Sequence, residues 1–199
     1  MQIIAIAGSP GTGKTSVAGM LKDILGASVI SLKDFIDSHN LIDEWDAEND
    51  TRIVDENHLR DALMKEINEI TQLQDISWLI IEGLLADVIA DKCDHAVVLR
   101  LHPRILKQRL EARGYSEHKI AENVQAEILG TSTYHMQEAR GNDFFDIDTT
   151  DKTPDDVVRL VDDLVEGRGD QDAYRPGKID WISSPDIDLI QIFQKKEDD

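Results

Sequence analysis

Gln2-Ile3-Ile4-Ala5-Ile6-Ala7 runs directly into Gly8-Ser9-Pro10-Gly11-Thr12-Gly13-Lys14-Thr15, and Val17, Met20, Leu21 and Leu25 follow at helical spacing. The first stretch is a short, Ile-rich apolar run, as a strand buried on both faces should be. The second fills every fixed position of G-x-x-x-x-G-K-[ST], the phosphate-binding loop of proteins that hold a nucleoside triphosphate. In that motif backbone N–H groups converge on the phosphates from a concave turn. The helix that follows points its positive end at the same anion. Gly8, Gly11 and Gly13 permit the backbone angles and the close approach this needs. Lys14 places a cation on the β- and γ-phosphates, and the Thr15 hydroxyl is a ligand for Mg²⁺.

Moving outward, Ala27–Ser31 reads as a second strand and Lys33–His39 as a short helix. Asn40–Asp50 is polar and acidic without clear periodicity. Arg52-Ile53-Val54 then leads to Asp55, which caps a helix through Ile70 with Leu59, Leu63, Ile67 and Ile70 on one face. Ser77–Ile81 is a strand ending at Glu82-Gly83, and Ala96–Leu99 another, ending at Arg100-Leu101. Pro103 suits the first turn of a helix running to about Arg113, where Gly114-Tyr115 breaks it. Ser116 caps a single long helix to about Ala139, and Phe144–Ile147 is the last strand. Thr153-Pro154-Asp155-Asp156 opens a final helix whose core face is Val157, Leu160, Val161 and Leu164.

This alternation predicts an α/β fold: a parallel five-stranded sheet with helices on both faces, the three-layer arrangement of P-loop NTPases. Ligands of such sheets bind at the carboxyl ends of the strands, so the phosphate loop, Glu82, Arg100 and the turn Thr149-Thr150 should converge on one edge. The domain spans residues 1–166. From Gly167 the composition loosens into linker-like stretches, Gly167–Asp170 and Arg175-Pro176-Gly177. Within that extension, Ile179–Phe193 keeps Trp181, Ile182 and several aliphatics able to dock on the domain, and Lys195–Asp199 reads as frayed.

The 199 residues carry a net charge of −19. Such a surface disfavours non-specific binding to nucleic acid or to acidic membranes, and suits a basic protein partner or a salty cytoplasm. Cys93 is the sole cysteine, which excludes an internal disulfide and points to a reducing compartment. No apolar run approaches the about 20 residues of a membrane span, and no signal peptide precedes the first strand. The expectation is a soluble cytoplasmic protein.

Three features beyond the loop carry chemistry. Glu82 ends the most apolar strand, where a carboxylate meets the metal through a water. Asp43-Glu44-Trp45-Asp46, with Asp50, Asp55 and Arg52, lies where nucleotide kinases grip the phosphoryl acceptor. Arg109 and Arg113 are four apart on one helix face, beside the Gly114 break. Arginines on a closing lid neutralise the migrating phosphoryl group while water is excluded. His102, His118 and His135 lack metal-ligand spacing and read as structural.

The chain resembles the adenylate kinase isoenzyme 6 family, small nuclear and archaeal enzymes linked to ribosome biogenesis. The resemblance rests on Gly8 through Ser16, on Asp46 through Asp55, and above all on Arg109-Leu110-Glu111-Ala112-Arg113-Gly114-Tyr115-Ser116, continuing into Lys119-Ile120-Ala121-Glu122-Asn123 and Glu127-Ile128. It covers about residues 1–166. It implies a nucleoside monophosphate kinase-like fold and Mg²⁺-dependent transfer of the ATP γ-phosphoryl to AMP. It implies that Gly11, Gly13, Lys14, Thr15 and Ser16 hold the ATP phosphates, and that Arg113 is the lid arginine on ATP. An acceptor segment maps to about residues 30–53 and a lid to about 112–122. The turn Thr149-Thr150-Asp151-Lys152 would border the adenine, with Lys152 in contact. These relatives also look like weak ATPases that bind a basic small-subunit ribosomal protein during rRNA processing. Two positions depart from the pattern. Glu82 stands where eukaryotic members commonly have Asp. Leu84 stands where the family often has a histidine, and leucine can neither position nor deprotonate water. The resemblance therefore carries the kinase activity further than the ATPase.

Overall fold

The computed structural model describes residues 1–46, 51–73, 76–184 and 187. Its centre is a parallel five-stranded sheet in the order β2-β5-β1-β6-β7, built from β1 (Gln2–Ala7), β2 (Ser28–Ser31), β5 (Trp78–Glu82), β6 (His95–Arg100) and β7 (Phe145–Asp148). A separate hairpin pairs β3 (Glu44–Asp46) with β4 (Thr51–Ile53). The expected α/β fold with helices on both faces is the one that forms.

Period-two alternation along the strands sorts the core into two layers. Ile3, Ala5, Leu79, Ile81 and Val98 face α2 (Leu32–Ser38), α3 (Glu56–Leu73) and a 3-10 helix, Ala86–Lys92. Ile4, Ile6, Ile80, Val97 and Leu99 face α1 (Lys14–Leu25) and α7 (Pro154–Val165). A third, smaller core joins Leu106 and Leu110 of α4 (Pro103–Ala112) to Ile120, Val124 and Ile128 of α5 (Glu117–Leu129), with Trp181 and Ile187 buried against them.

Local chemistry starts the helices where the sequence indicates. Asp55 accepts from the N–H groups of Asn57 at 2.8 Å and His58 at 3.0 Å. Ser116 accepts from Lys119 N at 3.2 Å, and Thr153 with Asp156 forms a reciprocal capping box before α7. His102, read as structural, caps α4 by accepting from Arg104 N at 3.2 Å.

Two expectations need correction. The single helix from Ser116 to Ala139 does not exist. Gly130, at φ +67°, ends α5, and α6 (Thr131–Arg140) restarts beyond it. A side chain there would stand 3.4 Å from the Arg100 guanidinium, so a glycine serves both the turn and the charge beneath it. The segment Asn40–Asp50, read as irregular, contributes β3 at its described end, while Asp50 lies outside the described residues.

Candidate active site

The phosphate loop leaves β1 at the carboxyl edge of the sheet. Register fixes its neighbours: Ile6 pairs with Glu82 on one side, and Ala7 pairs with Val98 on the other. Gly8 is pressed so close to β6 that an added Cβ would meet the Leu99 carbonyl oxygen at 2.4 Å. The loop can turn here only without a side chain. On the far side Gly11 offers its carbonyl to Arg109 Nη1 at 3.1 Å.

A cavity of about 570 Å³ opens over the loop. Gly11, Gly13, Lys14, Thr15 and Ser16 line its floor, with Glu82 and Leu84 at the end of β5 and Arg113 with Tyr115 above. Ser31, Asp34 and Arg52 line the facing side. Most of the residues singled out in the sequence therefore meet in one space. Two do not line it. Arg109 is exposed and reaches the loop only through the Gly11 carbonyl, and Lys152 donates to the Asp148 carbonyl at 2.9 Å in the turn after β7.

Lys14 is buried, its Nζ donating to the carbonyls of Gly8 at 2.7 Å and Ser9 at 3.0 Å. Burial pushes its ammonium down to about 8; the carboxylates of Glu82 and Glu127 pull it back up, and the Arg113 charge works with burial. Thr15 Oγ1 donates to Glu82 Oε1 at 3.1 Å, which brings a hydroxyl and a carboxylate together beside the lysine. Both are hard oxygen donors of the kind Mg²⁺ takes alongside substrate phosphates.

The hairpin contributes Arg52 to the cavity. Arg52 of β4 pairs with Asp37, whose carboxyl is held below its usual range chiefly by that hydrogen bond. Asp43 Oδ2 accepts from the N–H of Asp55, tying the hairpin to the cap of α3. From the opposite arm Lys119 of α5 donates to Thr51 of β4 and pairs with Glu122 at 3.0 Å. Lys119 thus ties α5 to the hairpin.

Sequence reasoning missed a buried polar cluster beneath the loop. Ser9 Oγ donates to Glu127 Oε2 at 2.7 Å, and Arg100 Nε donates to Glu127 Oε1 at 2.7 Å. Asp146 lies 3.6 Å from Arg100 Nη1. Burial pushes Asp146 up to about 6 against the pull of Arg100. A signal was present: Glu127 falls on the apolar face of Ile120, Val124 and Ile128, where a carboxylate needs a buried partner.

Comparison with known proteins bears on the family and the fold. A family model described as an AAA domain matches residues 4–130. An archaeal protein provisionally named adenylate kinase, from Methanosarcina acetivorans, is 36% identical over 92% of this chain and 98% of its own length. One from Archaeoglobus fulgidus with the same provisional name is 33% identical over 98% and 99%. Among solved structures, thymidylate kinase from Candida albicans aligns with a TM-score of 0.54 at 15% identity over 83% of this chain and 91% of that one. Shikimate kinase from Acinetobacter baumannii aligns at 0.57 with 16% identity, over 84% and 94%. The latter two share the kinase fold. Matched along nearly its whole length by such archaeal relatives, the chain belongs to their adenylate kinase family of P-loop phosphotransferases, the isoenzyme 6 type.

Proposed function

We propose that the protein is a nucleoside monophosphate kinase that transfers the γ-phosphoryl of ATP to AMP with Mg²⁺, giving two ADP. The observation that carries this reading is the single cavity. Its floor is a phosphate loop, its facing side presents Arg52, and Arg113 stands above, so donor and acceptor phosphates would meet in one space. The provisional names of the archaeal relatives support AMP as the acceptor.

Phosphoryl transfer asks for positioning and for charge placed around the migrating group. Lys14 exchanges loop carbonyls for β- and γ-phosphate oxygens, and Gly11, Gly13 and Ser16 cradle them. Arg113 adds a second cation from the lid. Arg109 acts through the loop by holding the Gly11 carbonyl. Arg52 receives the acceptor phosphate by releasing Asp37. Thr15 directly, and Glu82 through a water, would hold Mg²⁺, which when bound neutralises phosphate charge. Leu84 and Tyr115 also line the space, and the Leu84 side chain cannot activate water. Lys152 borders the adenine from the turn after β7.

The test is ADP formation from ATP, AMP and Mg²⁺, followed by a panel of phosphoryl acceptors. Lys14→Ala should lower the rate by about a hundredfold or more, since it removes a cation aimed at the transferring group. If no nucleoside monophosphate yields ADP at any salt concentration, the kinase reading fails.

A second reading is favoured by the net charge of −19. An ATP-bound state would gate binding to a basic protein such as one from the small ribosomal subunit. Pull-downs with and without ATP test it, and a partner indifferent to nucleotide would exclude gating.

A further inference from the structure

We propose that Glu127 is a positioning residue for the phosphate loop, and that through it the segment carrying Trp181 sets how well the loop is ordered to receive phosphate. The inference rests on the loop being a nucleoside triphosphate site.

Both oxygens of Glu127 are committed. Oε2 accepts from Ser9 Oγ at 2.7 Å. Oε1 accepts from Arg100 Nε at 2.7 Å, Leu101 N at 3.1 Å and Trp181 Nε1 at 3.3 Å. One carboxylate therefore joins the phosphate loop, the end of β6, the helix leading from the lid and the segment after Gly177. Ser9 is held from its other side as well, because its carbonyl accepts from Lys14 Nζ at 3.0 Å and Thr12 Oγ1 at 2.9 Å. Fixing Ser9 fixes the carbonyl on which the Lys14 ammonium rests.

Balancing a buried arginine does not explain this arrangement. Arg100 has a second carboxylate, Asp146, 3.6 Å from Nη1, so Glu127 brings more negative charge than neutralisation requires. Its second oxygen is spent on Ser9 instead. The site is also buried: Glu127 is 1% exposed and Arg100 2%. In such surroundings losing one donor weakens the geometry of those that remain. Trp181 closes the cluster from outside, 8% exposed, its ring edge-on to His102 with centroids 5.3 Å apart. His102 in turn caps α4, the helix that carries Arg109. By linkage, whatever seating Trp181 does for phosphate binding, phosphate binding does equally for Trp181.

The experiment uses the full chain and Mg·ATP, with dissociation constants from calorimetry and unfolding temperatures for every variant. Ser9→Ala should weaken Mg·ATP about tenfold, as loss of a hydrogen bond to a buried carboxylate does. Trp181→Phe keeps the ring contact and removes only the N–H; it should weaken binding by about threefold. The double variant should lose less than the product of the two, because both act through one carboxylate. Glu127→Ala, which takes away the acceptor of Ser9 Oγ, should weaken Mg·ATP at least as much as Ser9→Ala. If it does not fold, the two milder variants decide. With Trp45 and Trp78 replaced by Phe, Mg·ATP should shift the emission of Trp181, and Ser9→Ala should abolish that shift. Lys14→Ala separates the layers of the inference. If Lys14→Ala binds Mg·ATP like wild type, the phosphate-site reading falls and this inference with it. If Lys14→Ala loses binding while Ser9→Ala and Trp181→Phe remain folded and bind like wild type, or if their effects simply multiply, the Glu127 coupling alone is overturned.

Discussion

On the proposed kinase reading, Leu84 bears on what the cavity does with a phosphoryl group when no acceptor is present. It is 51% exposed and lines the space beside Glu82, yet offers nothing to orient or deprotonate a water. Leu84→His should raise ATP hydrolysis without AMP by about tenfold, at the low end of what a general base contributes. A phosphate-release assay reads this directly, and an unchanged rate would show that water is excluded by something other than this side chain. Asp146 makes a different statement. Burial raises it from 3.8 to about 6, with Arg100 opposing. Between those values the folded chain keeps a proton that the unfolded chain has released. This group's cost to stability is therefore full above about pH 6 and relieved as pH falls toward 3.8. Relative to Asp146→Asn, the wild type should lose stability as pH rises from about 4 to about 7. Urea unfolding at both ends of that range measures it; a difference that is flat, or that grows with pH, contradicts the assignment.

At the scale of elements, what was legible in the sequence was what is local. The phosphate loop, and the caps Asp55, Ser116 and Thr153, are each set by residues within a few positions of one another, so spacing alone identifies them. The strand ends converge because parallel topology leaves them no other arrangement. The break at Gly130 was hidden because apolar residues continue across it, from Val124 and Ile128 to Met136. Its cause is distant: the guanidinium of Arg100, on β6, lies under the turn. The β3–β4 hairpin was hidden for the opposite reason. Its residues are mostly exposed, so no alternation of polar and apolar side chains marks the strands. Glu127 belongs to both problems, since its partners Ser9, Arg100 and Trp181 come from three other parts of the chain. One substitution distinguishes a break from a continuous helix. Gly130→Ala should destabilise the protein by about 1–2 kcal/mol, because alanine is strained at φ +67°. In an unbroken helix the same change would stabilise by about 1 kcal/mol. Chemical denaturation gives the sign.

For the whole molecule, charge sets the terms. A net charge of −19 on 199 residues acts against compactness, since folding brings like charges together. Raising NaCl from about 0.1 M to about 1 M shortens the screening length from about 10 Å to about 3 Å. The unfolding temperature should rise by several degrees over that range, more than for a near-neutral domain of the same fold. A scan in which it stays level or falls would mean that attractive pairs, such as Arg60 with Asp91 at 2.7 Å, outweigh the repulsion. The small core under α4 and α5, which Trp181 completes, lies apart from the two layers on the sheet and supports the arm that carries Arg113.

That arm meets the hairpin through Lys119 and Thr51. A hydrogen bond of this kind contributes about 1 kcal/mol, so it biases the two elements toward moving together. On the proposed kinase reading, that bias favours release of both products in one opening over release in two successive ones.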